Sequence, residues 1–351
     1  MTTLTNLDLS SKMQARKQFL TDKITQMHFE QNPSIRMKYS QSDLLNYQND
    51  CYYHMDFLSQ SIAHNSPAIY RDYVVWVQQL FKNLNIPDEH VLSFFKCFNE
   101  VLFTELDKDG AMGLKSYLDI SLEVLNNNLI DSVSYIEASN PLNHHANVVL
   151  QKLLDGKKAE AATYVVKLVQ DGLSLKDCYL KLFQPIQYEV GRLWHTHQIS
   201  VAQEHYVTSA AQLIMSQFYS QIFNHEKTGN TLVAACISEE QHEIGLRMVT
   251  DLLEMDGWDT YFLGANTPLN TIPDTIIEKK AKVIAISITL SSHLYYMDIL
   301  LNLVKQKVPY VKVLVGGYPF NIDKDLWQKV GADGYALDAE SALQVANKLI
   351  S

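Results

Sequence analysis

Beyond Asn224 the sequence changes period, and that change limits the fold more than any other feature of the chain. Five short apolar runs, Leu232–Ile237, Thr260–Leu263, Val283–Ile288, Val313–Val315 and Gly334–Leu337, alternate with helical stretches near 243–256, 270–280, 293–307, 322–330 and 340–350. Continuous apolar strands separated by helices are buried on both faces, which requires a parallel sheet with helices on each side. Right-handed crossovers put every strand-to-helix loop at the carboxyl edge. Ligands of such sheets bind there, at the point where the strand order reverses. The segments Glu240–Gly245, Ser287–Leu290 and Gly316–Tyr318 all fall at that edge. Residues 225–351 are therefore expected to form a flavodoxin-like or Rossmann-like, doubly wound, five-stranded parallel sheet.

The rest of the chain reads as helix, so the whole is α plus α/β. At 351 residues it suits two or three domains. Residues 144–224 read as a bundle of about four helices, with turns at Asp155-Gly156, Asp171-Gly172 and after Trp194. Ser200 with Gln203 three residues on predicts a capping box. The helix it opens starts near Val201 and carries Glu204, His205, Thr208 and Ile214 toward Phe218. Residues 1–143 form a further all-helical domain, set off by the break Glu137–Asn143. There Tyr70, Tyr73, Val74, Val77 and Leu80 recur at helical spacing, and Pro87 fits an early helical position before Phe94, Phe95 and Phe98. Aromatics at helical spacing are usually core. A second tetrapyrrole pocket, with His54, His64 or His90 as contacts, is the alternative for this region.

A formal charge of −10 argues against a dominant nucleic-acid surface. The first residues lack a signal-peptide core and no segment runs eighteen apolar residues, so a cytoplasmic protein without membrane spans is expected. Cys51, Cys97, Cys178 and Cys236 are too scattered to read as a metal or redox pair.

The loop after the first strand reads Glu240-Gln241-His242-Glu243-Ile244-Gly245. After 41 residues comes Ser287-Ile-Thr289, and after 26 more Gly316-Gly317. This ordered set resembles the cobalamin-binding domain of methionine synthase, the cobalamin mutases and the cobalamin photoreceptors. The resemblance implies that His242 is the lower cobalt ligand, suited by its imidazole to a borderline cation. It implies that Glu240 accepts from the other ring nitrogen and fixes the tautomer. The family pattern has Asp at that place. Glu is one methylene longer, so a looser or remodelled contact is expected. Gly245, Ser287, Thr289, Gly316 and Gly317 would then border a slot for the nucleotide tail of the cofactor.

In the helical bundle, Trp194 is followed after nine residues by Glu204-His205. This is similar to the Trp-x9-Glu-His pattern in the cap of the light-dependent CarH and LitR regulators. By that resemblance Trp194, Glu204 and His205 shelter an adenosyl group on the upper face. His195 would capture cobalt after light has cleaved the cobalt–carbon bond, with His197 as competitor. The MerR-type DNA-binding domain of those regulators has no counterpart in residues 1–140. The expectation is thus an adenosylcobalamin light sensor, not an enzyme, whose photolysis switches self-association or binding of a signalling partner. The alternative is a corrinoid methyl-group carrier serving separate methyltransferases, with methylcobalamin as the working form.

Overall fold

The computed structural model describes residues 5–37, 39–106, 108–127, 133–223 and 226–351. The chain divides into two compact units, one of residues 1–130 with 290–295 and 322–329, the other of the remainder. The boundary expected between 224 and 225 lies outside the described residues.

The first unit is built on α1 (Asn6–Ala15), α2 (Lys17–Gln31), α3 (Pro33–Arg36), α4 (Gln41–Ala63), α5 (Pro67–Asn83), α6 (Asp88–Glu105) and α7 (Lys108–Leu125). Capping boxes open α1 at Thr5 with Asp8 and α4 at Ser40 with Asp43, satisfying donors that a helix start leaves unpaired. Pro67 is the first residue of α5, where its missing N–H costs nothing. Pro87 stands just ahead of α6 rather than inside it.

Phe95, Phe98, Tyr70, Met55 and Leu58 are fully buried in this unit. Each such side chain contributes roughly 1.5–3 kcal/mol by leaving water. His54 lies inside this core. Its Nδ1 bonds the Tyr73 hydroxyl at 2.7 Å, and the rings of Phe94 and Phe95 stand 5.1 and 5.2 Å away. Burial pushes its pKa down to about 3. His64 bonds the carbonyl of Gln60, one turn back on its own helix, and His90 lies 3.9 Å from Glu89. A cavity of about 300 Å³ elsewhere in the unit is lined by Thr25, Phe29, Arg36 and Leu44 among others, and by none of these three histidines.

The second unit begins with helices α8 (Asn143–Leu154) and α9 (Lys158–Gln170). Both end at the expected turns, where Gly156 and Gly172 take φ of +76° and +108°. A third helical run joins α10 (Leu175–Asp177), a π-helical turn Cys178–Phe183 and α11 (Gln184–His195). Then come α12 (Val201–Met215) and α13 (Tyr219–Ile222). Ser200 caps α12 as predicted: its hydroxyl accepts from the Gln203 N–H at 3.2 Å, and the Gln203 side chain accepts from the Ser200 N–H at 2.9 Å.

The sheet follows. Strands β1 (Thr231–Cys236), β2 (Asp259–Phe262), β3 (Val283–Ser287), β4 (Lys312–Gly316) and β5 (Gly334–Ala336) run parallel in the order β2-β1-β3-β4-β5. Helices α14 (Ile244–Met255), α15 (Ile272–Lys279), α16 (Leu294–Lys307), α17 (Tyr318–Ile322), α18 (Leu326–Val330) and α19 (Ala339–Ile350) alternate with them. This is the doubly wound flavodoxin-like order, whose switch point lies between β1 and β3. Alternate residues Leu232, Ala234 and Cys236 of β1 and Val283 and Ala285 of β3 pack with Leu246 and Leu253 of α14 and Ala342 and Ala346 of α19. The opposite side of α14, through Met248 and Leu252, joins the core of the helical bundle. Helix α14 is therefore shared between bundle and sheet. Among the described residues no helix is long and apolar enough to cross a membrane.

Candidate functional site

The switch point sets the chemistry of the site. Parallel pairing aligns Cys236 of β1 with Ser287 of β3, and Ser287 with Gly316 of β4. The ends of three adjacent strands thus meet at one edge, and the loop after β1 rises from it carrying Glu240 and His242.

Glu240 is fully buried, a position that costs a carboxylate dearly unless donors surround it. It has them. Oε1 accepts from the His242 N–H at 3.0 Å and bonds the His242 Nδ1 at 2.6 Å, while Oε2 accepts from the Thr289 N–H at 2.7 Å. An ionised carboxylate only accepts, so Nδ1 carries the proton and Nε2 is the nitrogen left to act. The extra methylene of Glu over Asp lets one carboxylate hold both the imidazole and the end of β3. Thr289 enters the site through its backbone N–H.

The His242 side chain remains 56% exposed. Desolvation opposes its protonation, but the hydrogen bond and charge of Glu240, with the charge of Glu204, outweigh this and raise its pKa. Glu204 therefore acts electrostatically on His242 from the capping helix α12. Two neighbours with left-handed backbone brace the loop. The Asn266 N–H donates to the Glu240 carbonyl at 2.9 Å, and its side chain accepts from the Glu239 N–H at 2.8 Å. Glu239 and Asn266 have φ of +68° and +51°. For Glu239 this strain is roughly 1–2 kcal/mol, held by the contacts around it.

The remaining candidates divide by position. A Cβ at Gly245 would meet nothing within 4 Å, so the start of α14 is open beside His242. No hydrogen bond to the hydroxyl of Ser287 or of Thr289 is present among the described residues, which leaves both available to a ligand. Gly317 has a reason internal to the fold: at φ +102° its Cβ would lie 2.0 Å from the Ile288 carbonyl oxygen. A Cβ on Gly316 would stand 3.1 Å from the Ala336 carbonyl, a tight but lesser conflict.

In the bundle, Trp194 is partly buried against the hydrophobic core, and His195, half-buried, ends α11. His197, two residues on, is exposed at φ +58°. Glu204 accepts from the Thr208 hydroxyl at 3.0 Å and pairs with Nδ1 of His205, whose side chain is 74% exposed.

Two residues escaped the sequence reading. Glu243, next to His242, accepts from Nε2 of Gln212 on α12 at 2.7 Å and from the Ala265 N–H at 2.8 Å. Asp251, two turns along α14, accepts from the buried Tyr179 hydroxyl at 2.9 Å, and burial raises its pKa to about 6. Nothing in the local sequence marks either. Gln212 reaches Glu243, and Tyr179 reaches Asp251, only when the bundle meets the sheet.

Comparison with known proteins agrees with this geometry. Residues 146–219 and 230–346 each match a B12 binding domain family. Dimethylamine corrinoid protein 3 of Methanosarcina acetivorans is 26% identical over 204 residues, 57% of this chain and 90% of that protein. Trimethylamine corrinoid protein 1 of the same organism is 27% identical over 165 residues, 46% of this chain and 73% of that protein. The structure of the Methanosarcina barkeri monomethylamine corrinoid protein superposes with a TM-score of 0.53 at 18% identity, covering 59% of this chain and 99% of that one, a likeness of fold. A bound cobalamin is thereby supported. The histidine offered by the loop, the free hydroxyls and the open start of α14 suit it.

These relatives correct the expectation of a CarH- or LitR-type photoreceptor. They are corrinoid proteins of methylamine systems by name, and the light-sensing and signal-transduction reading does not stand. The physical reason is that the histidine loop, the hydroxyl strand end and the paired glycines are, by the resemblance, features for the lower half of a cobalamin. That half is the same whatever group sits above cobalt. The names of both relatives describe corrinoid proteins and neither names a catalytic activity, in line with the expectation that this chain is not an enzyme.

Proposed function

We propose that this chain is a corrinoid carrier, which holds cobalamin between α12 and the loop after β1 and presents it to partner methyltransferases. The observation that carries the reading is His242, with Nδ1 bound to a buried carboxylate and its ring exposed at the carboxyl edge of the sheet. Bound there, cobalamin would supply a cobalt centre able to accept and give up a methyl group, so methylcobalamin is the working form in this reading.

The residues of the chain prepare the site. Glu240 keeps the proton on Nδ1, so that Nε2 offers its lone pair outward, and its negative charge makes that nitrogen a better donor. By tying the same carboxylate to Thr289, the fold fixes the distance between the imidazole and the end of β3. Ser287 and Thr289 offer hydroxyls beside it, and Gly245, Gly316 and Gly317 keep side chains out of the edge. Above, Trp194, Glu204 and His205 are the residues of the bundle that we assign to the upper face. Glu204 already acts on His242 across the site. The partner is a separate protein that supplies the methyl donor or the acceptor, since the roles assigned to this chain are binding and orientation.

His242→Ala tests the reading. Loaded with hydroxocobalamin or methylcobalamin, the variant is expected to lose the protein nitrogen from cobalt, seen in the absorbance of the Co(III) forms and in the nitrogen hyperfine splitting of the Co(II) form. An unchanged coordination spectrum would remove His242 as ligand. Failure of the unaltered chain to bind any cobalamin would remove the carrier.

A further inference from the structure

Glu243 is joined to His242 by one peptide bond, yet its carboxylate turns away from the imidazole and divides between two other elements. Oε1 takes the amide of Gln212 on α12, and Oε2 takes the N–H of Ala265 in the loop after β2. Gly264 makes room for this. At φ +83°, a Cβ there would stand 3.2 Å from Oε2. The Glu243 carbonyl meanwhile accepts from the Arg247 N–H at 2.9 Å, which anchors the residue to α14.

Helix α12 brings more than one residue to this place. Glu204, Thr208 and Gln212 are spaced four apart, so they form one stripe along the helix. Thr208 donates to Glu204 and also lies 3.0 Å from the side-chain oxygen of Gln187 on α11, linking the stripe to the neighbouring helix. Glu204 acts on His242 by charge, and Gln212 acts on Glu243 by direct contact.

A cofactor held between α12 and the histidine loop can arrive or leave only if the two separate. From these contacts we propose that Gln212 and Glu243 form the latch that keeps α12 closed over the His242 loop and so governs cobalamin release. The proposal rests on the carrier reading for its purpose, but not for its geometry. Glu243 is a positioning residue in this scheme. It sets how often the bundle lifts, while His242 sets the coordination.

The test has two arms. In the protein without cofactor, Gln212→Ala is expected to speed hydrogen exchange at the Ala265 amide roughly tenfold, although Gln212 does not touch Ala265. With the loop's second anchor gone, Glu243 holds that amide less often. In the protein loaded with hydroxocobalamin, Glu243→Ala is expected to raise the dissociation rate roughly ten- to a hundredfold, the range for losing a hydrogen bond to a charged group. The absorbance of histidine-coordinated cobalt should stay unchanged. Glu243→Gln should restore most of the slow release, because its amide can accept from Ala265 and donate to the Gln212 side-chain oxygen. The double variant Gln212→Ala/Glu243→Ala should release no faster than Glu243→Ala alone. Multiplicative rates in the double variant, or no effect of Gln212→Ala at Ala265, would overturn the latch. If cobalamin does not bind at all, the carrier reading fails, and the exchange arm still decides whether the latch exists.

Discussion

Replacing Asp251 with Asn gives a direct reading of how the bundle is sealed to the sheet. Asp251 is 8% exposed on α14, with the Tyr179 hydroxyl as its hydrogen-bond donor. Burial raises its pKa from 3.8 to about 6; Tyr179 and Arg247 offset part of that rise, and Glu254 adds to it. The folded state therefore binds the proton more tightly than the unfolded state does. Its contribution to stability is fully present below pH 3.8 and is lost as pH rises through 6. The total is about 3 kcal/mol, of which about 2 kcal/mol is lost between about pH 4.5 and pH 7.5. Asn cannot ionise, so its constant costs, such as an amide hydrogen without an acceptor, cancel when two pH values are compared. The stability of Asp251→Asn relative to the unaltered protein should thus improve by about 2 kcal/mol from pH 4.5 to pH 7.5. The assay is urea unfolding of the cofactor-free protein, read by pulsed hydrogen exchange in β1, whose buried amides report on the second unit. Parallel pH profiles for the two proteins would refute the argument, because they would mean that Asp251 ionises without penalty.

The first unit should respond to pH in the opposite sense. His54 has a folded pKa of about 3 against 6.5, so its neutral form stabilises the fold above pH 6.5 and that contribution is lost as pH falls, about 5 kcal/mol in all. His54→Gln, which can still bond Tyr73, should flatten the acid unfolding of this unit as followed by exchange in α6, and an unchanged acid midpoint would argue against a buried neutral histidine. Gly317→Ala places a Cβ 2.0 Å from a backbone oxygen at φ +102°. It should lower the melting temperature of the cofactor-free protein by several degrees, corresponding to a loss above 1 kcal/mol. An unaltered melting temperature would show that the β3–β4 edge yields more easily than its geometry implies.

Much of the fold was legible because the sheet is buried on both faces. Short continuous runs such as Val-Ile-Ala-Ile-Ser, rich in β-branched residues and alternating with helices, read as interior strands, and β3 begins at Val283 as expected. The Ser200–Gln203 box was legible for another reason: both of its hydrogen bonds are local. Local rules failed where the tertiary environment decides. The helix expected near 322–330 is instead the end of α17 at Ile322 and α18 from Leu326, with non-helical residues from Asp323 between them. The Asp323 carboxylate accepts from the Asp325 N–H at 3.1 Å and from Lys329 at 2.7 Å, a local turn that competes with helix. The π-helical turn at 178–183 left no mark in the period of the sequence, yet it carries Tyr179, the partner of Asp251.

At the site the same division holds, and it accounts for the error about light. Glu240 and His242 form a contact two residues apart, so sequence spacing contains it. Thr289 was picked for its hydroxyl; its N–H also donates to Glu240, a contact that any residue but proline would make and that the sequence does not mark. The upper face is another matter. Trp194 and Glu204 lie on different helices, and Trp194 is held in part by the bundle's own core. A tryptophan, a glutamate and a histidine at this spacing therefore have roles in bundle packing and in contacts along α12 that need no upper ligand. In the latch proposed above, the opening of the bundle rests on a contact between Gln212 and Glu243, 31 residues apart, which no local spacing encodes.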